Sequence, residues 1–582
     1  MPPGGQPLMS PTVSRVLVEK NIPIPLRDGV VTYADIFRPA DGDPVPGIIT
    51  RTPYDKEVFA AAALPIMPSA LKLAERGYAV AVQDVRGRFS SEGEFNPFVN
   101  EADDGYDSVE WLAAQPWCDG GVAIYGPSYV GATTLLAAKA KPPSLKCAIP
   151  IITADDYYDG WTYQGGALQL GFATFWGLGL AAALALGRDR DIAPEHFAAA
   201  AQALLDPHET ARTRPLAAMP GLSRPDLAPW WRDWIGHDSR DAYWEALRHS
   251  DDYSRYEIPM YHVGGWFDIF GIGTVRNFRG MSAASPAGHH LLMGPWSHAY
   301  YDRYLGERDF GPTAAAAMSG AVLDYNRFLD RHLKGVEKEL PAVRYFLMGA
   351  NEWREADEWP PSGAETVSWY LHSDGSANSA RGDGALATTP PPGDQVPDRY
   401  FYDPLRPVPS EGGPTLHSAI GLPGPRDQSR IEARDDVLCY TSEPLDSPVV
   451  VAGPVKVVLW TVTDAPDTDF TAKLVDVQPD GTPVSVCDGI VRARFRDSLS
   501  EPAPVPEGEP ARYEIDLAST AIVFAAGHRI RLEVSSSNFP RFDANPNTGG
   551  PLATETEVWP ALQYLLHDEA HPSALELCVL PE

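Results

Sequence analysis

The apolar residues of this chain change rhythm twice, and that pattern sets most of what it can fold into. Early on, short apolar runs at residues 47–50, 78–83, 122–125 and 147–152 alternate with helical patterns, and further runs follow at 260–263 and 290–293. Such alternation is the mark of a mostly parallel sheet with helices on both faces. An opening hairpin is expected over residues 15–38, turning at Arg27, Asp28 and Gly29. Between Asp155 and Asp251 the period becomes helical, in AAALALG, HFAAAAQALLD and DAYWEALRHS, with no convincing strand. After Pro360 it becomes purely β, in VLCYTS, VVVAGPVKVVLWTV, DFTAKLVDV, PVSVCDGIVRARF, ARYEIDL and HRIRLEVSSS. The predicted organisation is an α/β domain in two parts (residues 1–154 and 251–360), a helical insertion at 155–250, and a separate β-sandwich at 361–582. The insertion would wall a substrate pocket, because open sheets bind ligands beyond the carboxyl ends of their strands.

Composition narrows the classes of partner. The 582 residues allow several domains, at roughly 100 to 200 residues each. With 44% hydrophobic and 21% charged residues the chain is neither disordered nor collagen-like. Its 78 acidic against 47 basic residues leave a formal charge of −31, which phosphate backbones and anionic bilayers repel. Neither nucleic acid nor membrane is an expected partner. The 57 prolines gather in stretches such as 388–396 and 422–425, where turns and linkers are expected. Five scattered cysteines without a C-x-x-C pair read as buried thiols of a reducing compartment. The opening thirty residues hold no continuous apolar run of a secretory signal, so a cytoplasmic location is expected. Residues 165–187, GGALQLGFATFWGLGLAAALALG, have membrane-compatible length, but the expected reactive residues lie on both sides of them. A buried helical hairpin beside an apolar pocket fits better.

The sharpest local signal is VAIYGPSYVG, from Val122 to Gly131, followed by the helical ATTLLAA. It reads as strand, tight turn and helix, with Ser128 at the turn. A nucleophile elbow needs small residues beside the serine, where strand and helix approach closely, and Gly126 and Gly131 would supply the room. The second glycine comes one residue later than in G-x-S-x-G. Serine also needs an imidazole to take its proton and a carboxylate to orient that imidazole. In chain order these are Asp268, after the run MYHVGGWF, and His298, after HLLMGPWS. Asp155 and Asp156 are the alternative acids. His262, His289 and His290 lie before or inside strands and read as packing or solvent-facing residues. For the oxyanion, the elbow positions the Tyr129 backbone N–H, and Tyr54 in RTPYDK could add a hydroxyl donor.

With these residues assembled, the chain resembles the bacterial cocaine-esterase-like acyl esterases, the branch of serine hydrolases that also holds X-prolyl dipeptidyl peptidases and α-amino-acid ester hydrolases. The resemblance runs nearly end to end, on RTPYDK, QDVRGRFSSEGEF, WCDGGVAIYGPSYVG, GGWFD, GPWSH, DFTAKLVDV and GHRIRLEVSSSNFPRFD. It implies an α/β-hydrolase domain with an inserted helical cap and a C-terminal all-β jelly-roll domain. It implies Ser128 as nucleophile, His298 as base, Asp268 as its orienter, and Tyr54 with the Tyr129 amide as oxyanion hole. By motif position, Trp161, Trp176 and Phe270 would cradle a flat acyl group, while near Gly413, Pro414, Thr415, Leu416 and His417 a further pocket aromatic is not matched. Homodimers are an inherited expectation.

The expected function is therefore a serine esterase acting on a small-molecule ester with an aromatic or bulky uncharged acyl group, needing neither metal nor cofactor. Ile269, Phe270 and Gly271 follow Asp268, so the acidic residues that hold a substrate ammonium in α-amino-acid ester hydrolases are absent there. An amidase of the same family, such as a glutaryl cephalosporin acylase, uses the same triad. The rival of another class is a catalytically idle binding protein that recognises its partner through the β domain.

Overall fold

The computed structural model describes residues 15–61, 64–187, 194–224, 227–416 and 421–581. His417 lies outside the described residues. The chain divides into two compact units: Met1–Pro150, Arg255–Tyr261 and Ala321–Leu340 form the first, and Ile151–Ser254, His262–Gly320 and Pro341–Glu582 the second.

In the first unit the strands are β1 (Val16–Pro25), β2 (Val31–Pro39), β3 (Val45–Thr52), β4 (Ala79–Asp84), β5 (Cys118–Pro127) and β6 (Leu145–Ile151). They lie side by side in the order β1-β2-β4-β3-β5-β6. The opening hairpin β1–β2 is antiparallel, as expected, and β2 runs antiparallel to β4. β3 is parallel to both β4 and β5. Every residue of β4 is buried, which explains why its first four residues, Ala79 to Val82, read as an unbroken apolar run rather than an alternating one. The helix Ala321–Lys334 turns a strongly apolar stripe inward, where Tyr325 meets Tyr125 edge-on at 5.7 Å between ring centroids.

The second unit holds the strands Tyr261–Phe267, His290–Ser297, Val343–Leu347 and Glu352–Ala356, neighbours in that order. Leu291, Leu292 and Met293 run parallel to Val343, Arg344 and Tyr345. The helix Gly271–Ala284 connects the first two strands.

Residues 155–250 carry the helices Leu170–Gly187, Pro194–Leu205, Pro207–Ala211, Pro229–Gly236 and Ala242–Leu247. The expectation of a strand-free segment is corrected at one place, where Tyr163–Gln164 and Ala167–Leu168 pair in a two-residue ladder. Gly165 and Gly166 make its turn at φ 54° and 82°. A Cβ on either would lie 2.2 Å from Ile490 O or from Phe495, so the turn is pressed against the β-rich part of the same unit. Leu168 N–H donates to Asp543 at 2.9 Å and Arg492 N–H donates to Gly165 O at 2.8 Å. The Arg492 guanidinium bridges Asp469 and Asp543 beneath them. Two residues per strand are too few to leave a periodic signal. Among the described residues no helix is long and apolar enough to cross a membrane.

Beyond Pro360 the chain is β-rich, in an eleven-stranded sheet among the described residues. The strands Leu438–Ser442, Val449–Thr463, Asp469–Val477, Pro483–Arg492, Ala511–Phe524 and Arg529–Ser535 match the expected runs. The long strand Val449–Thr463 pairs antiparallel with Ala511–Phe524, Ala561–Leu566 and Ala574–Leu580. One continuous core joins Leu438, Leu459, Leu474, Ile515 and Leu532 of this part to Leu291, Met293 and Tyr345 of the α/β strands in the same unit.

Candidate active site

Ser128 stands where β5 meets the helix Tyr129–Lys139, with φ 60° and ψ −126°. A non-glycine residue there stores strain on the order of 1–3 kcal/mol, held by its surroundings. The turn is tight enough that a Cβ on Gly126 would lie 2.0 Å from Val130 Cγ1 and 2.8 Å from Val130 O. Glycine is required there by close approach, as the sequence predicts for an elbow.

The residues around the elbow are fixed by a buried polar network that sequence reasoning missed. The Tyr129 hydroxyl donates to Glu101 Oε1 at 2.8 Å and accepts from Phe98 N–H at 2.9 Å. Arg51 pairs with Glu101 at 2.9 Å, and Thr133 Oγ1 of the elbow helix donates to Arg51 O at 3.0 Å. Burial pushes the Glu101 carboxyl up, and the Arg51 guanidinium opposes that shift. The end of β3, which leads to Tyr54, is thereby tied to the helix that presents Tyr129.

The loop bearing Tyr54 is held as firmly. Arg88 Nε donates to Pro53 O at 2.9 Å, and Tyr54 N–H donates to Thr52 Oγ1 at 3.1 Å. Lys56 N–H then donates to Asp84 at 2.7 Å, just beyond Asp55 at φ 75°. Asp84 is buried, and that burial pushes its carboxyl up against the hydrogen bonds from Ser90 and Lys56.

In the second unit His298 Nδ1 lies 2.8 Å from Asp268 Oδ2. The other oxygen, Oδ1, accepts from Phe270 N–H at 2.6 Å. Asp268 thus caps the turn before Gly271–Ala284 with one oxygen and holds the imidazole with the other. Tyr301 fixes the histidine's own backbone, donating its hydroxyl to His298 O at 2.8 Å. The carbonyl of Trp296 passes so close to Gly265 that a Cβ there would lie 2.3 Å away, which accounts for glycine in GGWFD.

The alternative acids are otherwise engaged. Asp156 pairs with Arg240 at 2.8 Å and Arg248 at 3.4 Å, and Asp155 faces Arg276 at 3.9 Å. Burial lowers the pKa of His262 well below the usual imidazole range and brings that of His289 to about 4, which leaves both neutral packing groups. His290 Nδ1 lies 2.8 Å from Pro341 O.

Trp161, Trp176 and Phe270 form one cluster. Trp161 stacks on Phe270 at 4.3 Å between centroids and 13° between planes, and meets Trp176 edge-on at 5.4 Å. Phe270 in turn meets the His298 ring edge-on at 5.3 Å. Phe172 belongs to the same cluster, 5.4 Å from Trp161 and 5.3 Å from Phe270, though the sequence reading passed it over. Its position four residues before Trp176 on one helix face was the available signal. Among the described residues no group of three or more His, Cys, Asp or Glu side chains could hold a metal ion.

A strained serine elbow beside a mostly parallel sheet, with a histidine–carboxylate pair following two further strands, is the plan of an α/β hydrolase. Residues 28–300 match the family model described as X-Pro dipeptidyl-peptidase (S15 family). Residues 334–576 match that described as X-Pro dipeptidyl-peptidase C-terminal non-catalytic domain. The chain is 40% identical over 575 residues to the cocaine esterase of Rhodococcus sp. (strain MB1 Bresler), covering 97% of this chain and 98% of that one. Among solved structures it is similar to an aminopeptidase from a marine sediment Thaumarchaeota archaeon, with TM-score 0.82, 25% identity and coverage of 100% and 98%. An α-amino acid ester hydrolase gives TM-score 0.79, 25% identity and coverage of 99% and 98%. The chain belongs to the S15 family and is a hydrolase of the cocaine-esterase-like branch.

Proposed function

We propose that the chain is a serine esterase that hydrolyses carboxylic esters with aromatic or bulky uncharged acyl groups. Ser128 attacks the ester carbonyl, His298 takes the serine proton and Asp268 orients the imidazole. The Tyr129 N–H and the Tyr54 hydroxyl stabilise the oxyanion. The alcohol leaves with a proton from His298, and a water activated by the same histidine releases the acid from the acyl-enzyme. In this reading residues 155–250 act as a cap that carries the acyl-binding wall, and the C-terminal part as a jelly roll.

Phe270 carries the reading. Its N–H holds Asp268, its ring lies against His298, and the same ring meets Trp161 and Phe172. The proposed base and the buried rings of Trp161, Phe172 and Phe270 are therefore one packed cluster, the apolar setting in which this reading puts an aryl acyl group. The relatives include an aminopeptidase and an α-amino acid ester hydrolase. Ile269, Phe270 and Gly271 after Asp268 offer no carboxylate for an ammonium, which favours uncharged acyl groups here.

The test compares benzoyl and acetyl esters of one alcohol, and the matching benzamide, in wild type and Phe270→Ala. A benzoyl preference reduced about 10- to 100-fold by the substitution is expected, from the loss of one aromatic wall. An unchanged acyl preference contradicts the aromatic pocket, and faster cleavage of the amide than of the ester turns the reading to an amidase.

A further inference from the structure

We infer that Arg88 is a positioning residue that sets both donors of the oxyanion site. The inference rests on the esterase reading above and deepens it. Arg88 lies in the QDVRGRFSSEGEF segment and is 1% exposed. A buried guanidinium carries a large desolvation cost, which its contacts must offset.

Those contacts lead to Tyr54 and Tyr129. Arg88 Nε donates to Pro53 O at 2.9 Å, while the N–H of the same Pro53–Tyr54 peptide donates to Thr52 Oγ1 at 3.1 Å. The peptide plane is gripped at both ends, and a rotation of that plane would swing the Tyr54 side chain. The next residue, Asp55, sits at φ 75°, a conformation that persists only where its surroundings over-determine it. The guanidinium also lies over the rings of Phe89 and Phe95, each 5.2 Å from the centroid. Phe95 packs on the Tyr129 ring at 5.9 Å. Arg88 is thus connected to the residues of both proposed donors. It reaches Tyr54 through the Pro53 carbonyl, and the residue that supplies the backbone donor through the Phe95 ring.

Its own backbone is fixed to match. Arg88 N–H donates to Val85 O at 3.1 Å, and Ser91 N–H donates to Arg88 O at 2.9 Å, so the side chain starts from a closed turn. Lysine would keep the charge but lose the planar group that stacks and donates together.

The test is a double-mutant cycle with Arg88→Met and Tyr54→Phe, assayed on 4-nitrophenyl benzoate, with thermal melts as the folding control. Tyr54→Phe is expected to lower kcat by about 10²- to 10³-fold, as for loss of one oxyanion donor. Arg88→Met is expected to lower kcat by about 10- to 100-fold with KM within about threefold, because a misplaced donor is lost only in the transition state. Added to Tyr54→Phe, it should lower kcat by clearly less than it does alone, because only its effect through Tyr129 then remains. Losses that multiply, or a raised KM with unchanged kcat, overturn the inference alone. Wild-type kcat in Tyr54→Phe overturns the tyrosine's role and this inference together. Should Arg88→Met fail to fold, Arg88→Lys carries the same cycle, with the same non-additivity expected and multiplicative losses refuting it.

Discussion

Asp268→Asn separates the two duties of one carboxylate. Oδ1 accepts from Phe270 N–H at 2.6 Å, and Oδ2 lies 2.8 Å from His298 Nδ1. An asparagine can satisfy the Phe270 N–H only with its carbonyl oxygen, which turns its NH₂ toward His298. Nδ1 must then accept, the ring proton moves to Nε2, and the imidazole can no longer take the serine proton. Turning the amide over would place two donors face to face at Phe270 N–H, and leaving that buried donor unsatisfied costs about 1–3 kcal/mol. The negative charge that stabilises the imidazolium is lost in either orientation. Together these effects predict a fall in kcat of about 10³- to 10⁴-fold, roughly 4–5.5 kcal/mol of barrier, with KM little changed. The fold should survive, because the isosteric side chain still caps the turn. Steady-state kinetics on a benzoyl ester and a thermal melt check both halves. A kcat within tenfold of wild type, in a variant that melts like wild type, would refute the assignment of Asp268.

Two further outcomes follow from the packing and the charges. Gly126→Ala should lose at least about 2 kcal/mol in urea unfolding, because its Cβ would meet Val130 at 2.0 Å; wild-type stability would show that the turn can open. Burial brings the pKa of Asp155 up to about 7, against about 3.9 for an unfolded aspartate. Between those values the folded chain keeps a proton that the unfolded chain has released, so this group makes stability fall as pH rises through the window and level off above about 7. Asp155→Asn cannot ionise and should gain on wild type by about 1–3 kcal/mol between pH 5 and pH 8 in urea unfolding. A constant difference across that range would contradict the shift.

The parallel strands were legible because burial on both faces gives them unbroken apolar runs, as at Ala79 to Val82 of β4. The elbow was legible because a tight turn demands small residues at fixed places. Strands outside the reading carry mixed patterns instead. Asp398–Tyr402 alternates buried and exposed positions and leaves Phe401 facing outward at the sheet's edge. Glu365–His372 starts with two exposed residues, and Ala385–Ala387 is too short to signal itself. The Arg51–Glu101–Tyr129 network was invisible for a different reason: its members are far apart in the chain, and a buried charge has no local signature until its partner is known. For Asp268 the sequence pointed to a place beside His298, and its second duty, accepting from Phe270 N–H before the helix, has no signature until the turn is seen.

The most direct test of the central claim is mass spectrometry of the protein quenched during turnover of an aryl ester, in wild type and Ser128→Ala. The account predicts an acyl adduct on the wild-type peptide that contains Ser128, with neither adduct nor turnover in Ser128→Ala. Turnover retained in Ser128→Ala, or an adduct on another residue, would contradict it.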